Sequence, residues 1–357
     1  MSPKERVIQQ IKHKQTDFSP YTIEYEEEVR EKLNDYYGGD FWESYINNHI
    51  LAIPNPLTEL KPRKIGENIE VDIYGTKWRT DLKPMHIVEV PLKEPSLKDY
   101  KMPDLKEIFK GNWKEKYIGE IEEKKDYFLV TGFGMGIFER SWSLRGFENV
   151  LMDCVVEPLF YQELVEMIAD FQIKVIEKLV ELPVDGIMFS DDWGYQRGVI
   201  IGPDRWRKFI KPHLAKMYSL VHESGKYVLS HCCGNIIDII PDLIEIGLDV
   251  LQSVQPEAMN PYYLKKEFGK YLTFWGGLGS QSIIPFGKPD EIKREVFRLC
   301  NEMGRGGGYI LGLSKPLLPE TPVENAAAVI EAFLEQSGVR FGKNSEVHKL
   351  RSSEDGI

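Results

Sequence analysis

"KYVLSHCCGNIIDIIPDLIEIGLDVLQSV", residues Lys226–Val254, switches between two periodicities. Lys226–Cys233 is an apolar run of strand length that closes on polar residues. Ile236–Ile246 carries a helical apolar pattern, and Leu248–Val254 reads as a second strand. A strand, a helix and a strand at this spacing predict a parallel crossover unit. Working outward, the rhythm recurs in "YFLVTGFG" (Tyr127–Gly134) and "DGIMFSDD" (Asp185–Asp192, with a helix from Pro203). It recurs again in "YLTFWGG" (Tyr271–Gly277) and "GYILGLS" (Gly308–Ser314). With Phe18–Ile23 as a further short strand, the count approaches the ~8 of a closed barrel. The expected fold is therefore α/β, a (β/α)8 TIM-type barrel with N-terminal additions; a doubly wound open sheet is the alternative.

The remaining segments are less regular. Residues 3–13 predict a helix. Residues 25–37 predict a charged, surface-facing helix, and Ile69–Arg79 resembles a hairpin. Residues 104–125 read as a charged helical stretch with a solvated face. One barrel domain is expected over residues 1–340, with a polar tail over 341–357. The chain has 357 residues, 42% of them hydrophobic, and a formal charge of -11. Such an acidic balance disfavours nonspecific binding to nucleic acid or to anionic membranes. No apolar run approaches the ~20 residues that span a bilayer. The N-terminal stretch has no secretory h-region, and four cysteines, two of them adjacent, do not make a disulfide framework. A reducing cytoplasm is the expected location.

In such a barrel the chemistry sits at the C-terminal strand ends. Polar residues that close apolar strands are then the candidates. Side chains alternate along a strand, so His231 and Cys233 share one face and Cys232 takes the other. An imidazole and a thiolate on one face make half of a zinc site, and the remaining ligands would come from Asp191, Asp192 or Glu139. The alternative is that both are packed residues with satisfied polar atoms. In "SDDWGYQRG" (Ser190–Gly198), Asp191 or Asp192 could ligate or act as base, with Gln196 orienting a substrate. The alternative there is a loop whose aspartates cap turns. Glu139, Gln252, Trp275, Gly277 and Lys315 also lie at or just beyond strand ends and are candidates for substrate contact. The "GRGGG" run (Gly304–Gly308) precedes its strand and reads as a tight turn. His213 falls on the apolar stripe Trp206, Phe209, Ile210, Leu214, Met217 and is expected in the core, with Pro212 interrupting the helix.

The stretches "FSDDWGYQRGVIIGPDRWRKFIKPHLAKM", "HESGKYVLSHCCGNIIDIIPDLIEIGLDVLQSVQP", "FWGGLGSQSIIPFGKPDEI" and "GGYILGLSKPLLPETPVENAAAVIEAF" together resemble the uroporphyrinogen decarboxylase superfamily. The resemblance covers roughly residues 3–335 and implies the same barrel. It also implies one of two chemistries. The decarboxylases take a polycarboxylated tetrapyrrole without a cofactor and resemble one another in an arginine-rich N-terminal stretch. Here that region reads "SPYTIEYEEEVREKL", acidic instead, and "FSDD" comes too late in the chain to match the decarboxylases' aspartate segment. The other branch resembles corrinoid-dependent methyltransferases, whose zinc is held by an H-x-C pair and a later cysteine. His231 and Cys233 match the pair. Ser314 and Lys315 stand where the later cysteine would fall, so either a carboxylate completes the site or there is no zinc; the missing cysteine also argues against a thiol substrate.

What the resemblance implies is a zinc-dependent methyltransferase. It would move a methyl group from a small methoxylated or methylated substrate to a corrinoid carried by a partner protein. Asp191, Asp192 and Gln196 would position the substrate, and Trp275 would wall the pocket. A homodimer is expected by the same resemblance. The alternatives are a carboxy-lyase acting on a tetrapyrrole or other acid, and a non-catalytic corrinoid- or tetrapyrrole-binding protein.

Overall fold

The computed structural model describes residues 1–341, so all but the first residue of the expected tail 341–357 lies outside the described residues. The chain forms two compact units. One comprises Met1–Leu51, Asp126–Phe128 and the chain from Val250; the other comprises Ala52–Lys125 and Leu129–Asp249.

In the second unit, strand Phe128–Gly132 from Leu129 onward and strands Gly186–Ser190 and Tyr227–His231 run parallel, with Val130 opposite Gly186 and Gly186 opposite Tyr227. Helices Pro158–Leu179 and Lys211–Glu223 alternate with them. A Cβ on Gly132 would stand 2.0 Å from the Met188 carbonyl, so only glycine lets these strand ends approach. The expected hairpin at Ile69–Arg79 is present, with Glu70 opposite Trp78. It lies inside a four-stranded antiparallel sheet from Arg63 to Glu89. The charged stretch 104–125 holds two helices, Leu105–Ile108 and Glu115–Glu123. Its face is not wholly solvated, because Tyr117 and Ile121 are buried. The Trp206 stripe is buried as expected. His213 is only half-buried, since the chain breaks at Ile210 and a new helix starts at Lys211 with Pro212 in its first turn.

In the first unit, Val250–Val254, Thr273–Leu278 and Tyr309–Leu313 pair parallel. The last two are buried at every position, as strands covered on both faces must be. The N-terminal helix Pro3–Ile11 is locked to this sheet by Gln10. Its side-chain oxygen accepts from Tyr309 N at 3.0 Å, and its carbonyl accepts from Gly308 N at 2.8 Å. The expected strand at Phe18–Ile23 is reduced to a bridge between Tyr21 and Leu311. Helix Glu27–Tyr37 is not simply surface-facing, because Val29, Leu33 and Tyr37 are buried. Gly304–Gly308 forms the turn anticipated, and a Cβ on Gly307 would meet Lys14 N at 2.4 Å. Among the described residues, no helix is long and apolar enough to cross a membrane.

His49 is an acid-sensitive element of this unit. It is buried, and Arg6 Nη1 donates to its Nε2 at 3.0 Å, which holds the ring neutral. Burial and the Arg6 charge push its pKa down to about 4. The unfolded chain binds that proton below ~6.5 and the folded chain only near 4. The stabilisation is therefore complete above pH ~6.5 and falls away on acidification toward 4, by on the order of 3 kcal/mol. His49→Gln keeps an acceptor for Arg6 and should flatten this limb. Urea midpoints against pH would show it; identical profiles for both proteins would refute it.

Candidate metal centre

The site grows from the end of strand Tyr227–His231. Alternation buries Cys232 completely, and its sulfur accepts from Trp193 N at 3.3 Å. His231 and Cys233 therefore emerge on the other side, with His231 Nε2 and Cys233 Sγ 3.3 Å apart. Gly234, at φ +80°, takes the chain away, and a Cβ there would lie 2.5 Å from the Gly194 carbonyl carbon. This contact lets the loop Asp191–Gly198 lie against the strand end, fixed by Asn235 N donating to Tyr195 O at 2.8 Å.

The two aspartates of that loop have different surroundings. Asp191 is buried; its Oδ1 accepts from Glu139 N at 2.8 Å and its Oδ2 from Phe138 N at 2.9 Å. Oδ2 also accepts from the Trp193 indole at 2.7 Å. It thus caps the N-terminus of helix Ile137–Arg145, where N–H groups lack intrahelical partners. Gly136, just before the helix, permits this, because a Cβ would meet Asp191 Cβ at 2.5 Å. Burial pushes the Asp191 carboxyl up to about 7, while these three donors pull it down. Asp192 turns the other way. Its Oδ1 accepts from Cys233 N at 2.8 Å and lies 3.7 Å from His231 Nε2. Both side chains keep solvent access, at 40% and 26% exposure.

The ligand-type atoms of Asp192, His231 and Cys233 all lie within 4.8 Å of one another. Zinc holds nitrogen at ~2.0 Å and sulfur at ~2.3 Å, so two tetrahedral ligands stand ~3.5 Å apart. The observed 3.3 and 3.7 Å separations fit that span. Three protein donors of N, S and O type, with solvent access, would suit a zinc site that keeps an open position. Glu139 is half-buried beside this group. Burial and then the charges of Asp191 and Asp192 push its carboxyl up to about 8, so it keeps its proton at neutral pH in the metal-free chain. Gln196 lies at the exposed tip of the hairpin Gly194–Val199.

The other candidates belong to the first unit. Trp275 is buried and its indole donates to Thr22 Oγ1 at 2.9 Å. Gly277 has φ +98°, with its Cα face toward Leu299. Gln252 is half-buried at an irregularity of its strand, and Lys315 is exposed. Ser314 is buried in a hydroxyl network, accepting from Ser280 N at 3.0 Å and donating to Ser280 Oγ at 2.9 Å. Trp193 and Gly136, which hold Asp191 in place, escaped the sequence reading. The one available signal was a glycine immediately before a helix.

The model of the family described as uroporphyrinogen decarboxylase (URO-D) matches residues 77–336. Among curated relatives, a uroporphyrinogen decarboxylase of Thermus thermophilus is 25% identical over 180 residues, half of each chain. One of Picrophilus torridus is 23% identical over 245 residues, 66% of this chain and 69% of that one. The chain thus spans about half the length of the first of these relatives. A solved methyltransferase from Methanosarcina mazei superposes with a TM-score of 0.70 at 20% identity, covering 95% of this chain and 100% of that one. At that identity the likeness concerns the fold, and it agrees with the (β/α)8 TIM-type α/β class read from the strand rhythm.

Asp191→Ala would strand two helix N–H groups and an indole N–H in a buried site. A loss on the order of 3 kcal/mol is expected from urea unfolding, because three buried donors would lose their acceptor. A loss below ~0.5 kcal/mol, the scale of a neutral surface change, would show that the cap does not hold this region together.

Proposed function

We propose that this chain, which belongs to the uroporphyrinogen decarboxylase family, is a zinc-dependent methyltransferase of that family. It moves a methyl group from a small methoxylated or methylated substrate to a corrinoid carried by a partner protein. The observation that carries this reading is the convergence of Asp192, His231 and Cys233 into one three-donor group. A carboxylate thereby supplies the ligand that the missing later cysteine would otherwise have provided.

His231 Nε2, Cys233 Sγ and an Asp192 carboxylate oxygen would hold the zinc. Bound there, zinc would supply Lewis-acid polarisation of the substrate heteroatom that loses the methyl group. The chain's own residues do the rest. The Cys233 N–H aims Asp192 at the imidazole. Asp191 anchors helix Ile137–Arg145 to the loop and so fixes Glu139 beside the donor group. Glu139 stands beside the donor group, where its carboxyl can hydrogen-bond a polar atom of the substrate.

The decarboxylase reading is favoured by the names of the curated relatives. It calls for no metal, so the two readings part at one measurement. Elemental analysis should find about one zinc per chain in protein offered the metal, lost in His231→Ala and in Cys233→Ser. Asp192→Asn should weaken zinc binding roughly tenfold or more. Methyl transfer to free reduced cobalamin, followed by its absorbance, should disappear with the metal. Zinc binding unchanged in both of these variants would sink the proposal. Metal-independent conversion of uroporphyrinogen would put the decarboxylase in its place.

A further inference from the structure

A cavity of about 330 Å³ opens between the antiparallel sheet and the turn leading into helix Ile137–Arg145. That is within the ~300–1,000 Å³ range of small-molecule sites. Tyr74, Trp78, Phe133 and Met135 give it aromatic and apolar walls; Glu70, Asp72 and Arg140 are the charged groups of its lining. Asp72 is consumed by the wall itself. Its Oδ1 accepts from Tyr74 N at 2.9 Å and Thr76 N at 3.0 Å, and its Oδ2 from the Trp78 indole at 3.0 Å. These bonds set the two rings in place.

Arg140 is different. Its side chain is 8% exposed, and its guanidinium carbon sits 3.6 Å from the centre of the Tyr74 ring. Nη1 donates to Ser143 Oγ at 3.2 Å and stands 3.7 Å from Asp72. Nε and Nη2 donate to no protein group among the described residues. These donors are not sealed from the cavity, so an acceptor entering it can take them. Its planar fork matches a carboxylate in bidentate geometry.

We infer that this cavity binds a flat, apolar molecule carrying one carboxylate, its ring system between Tyr74, Trp78 and Phe133 and its carboxylate on Arg140. A second cavity shares Thr58, Phe133 and Gly134 with the first and reaches Met188 and Ser190. Ser190 is the register partner of His231. The two cavities thus share a wall, and the second is lined by the end of the strand that pairs with the one carrying His231; the occupant is the methyl donor. That last step rests on the methyltransferase reading; the binding itself does not.

Calorimetric titration of the metal-free full chain with naphthoate, and with naphthylmethanol as neutral isostere, tests it. Naphthoate should bind about tenfold tighter or better, the scale of one charge-assisted bond. Arg140→Gln should abolish the difference. Thr80→Trp, which fills the cavity from a partly exposed wall position, should exclude both probes and guards against a folding defect in the first variant. His231→Ala should leave both affinities alone. Equal affinities, no binding of either probe, or naphthoate binding that follows His231 rather than Arg140 would each overturn the inference. Failure of the unsubstituted chain to take up zinc when offered it, with naphthoate binding intact, would instead defeat only the methyltransferase reading.

Discussion

The Asp191 carboxylate, buried against the first N–H groups of helix Ile137–Arg145, is the constraint on which the candidate site depends. A helix N-terminus carries unsatisfied donors and a partial positive charge, and a buried carboxylate needs donors. Each group solves the other's problem. The consequence reaches further than one helix cap. It pins the loop after strand Gly186–Ser190 to the turn after strand Phe128–Gly132. It also sets which way the next residue faces. With Asp191 committed inward, Asp192 is turned to His231 and Cys233.

Close backbone approach makes this arrangement possible. Gly132, Gly136, Gly194 and Gly234 all stand where a Cβ would fall within 2.6 Å of a neighbouring atom. Two of these contacts hold the Asp191–Gly198 loop to the strand end, and one admits the capping carboxylate. The same helix carries Glu139 toward the donor group and Arg140 toward the aromatic cavity. Adjacent positions on a helix diverge by ~100° around its axis, so one short element serves two faces. A family resemblance that fixes the barrel therefore leaves room for a pocket built from the added antiparallel sheet.

The strand rhythm was legible because parallel strands buried on both faces are continuous apolar runs, and each is set off by a helix-period segment. The strand at Tyr227–His231 and its H-x-C ending were visible for that reason. Phe18–Ile23 is extended but makes only one bridge, because β-like composition does not guarantee a ladder; Pro20 and Thr22 both bond Leu311 on either side of Tyr21. Helix Glu27–Tyr37 and the stretch 104–125 were misread as solvated because their charge masks a few anchoring residues, Leu33 and Tyr117 among them. His213 shows the reverse error. A stripe predicts a buried face, but Pro212 restarts the helix and leaves the histidine at its edge.

From the sequence alone came the βα alternation, the shared face of His231 and Cys233, and the burial of Cys232. All three follow from local backbone periodicity, which repeats every two or 3.6 residues whatever lies far away. What the sequence left open was which aspartate joins the pair. Asp191 and Asp192 are neighbours with identical chemistry, and no pattern within the loop separates them. Only the tertiary structure decided it, by bringing a helix N-terminus from about fifty residues earlier in the chain against Asp191. The pocket around Arg140 was hidden for the same reason. Its guanidinium, its aromatic walls and its unused donors come from segments that meet only when the chain folds.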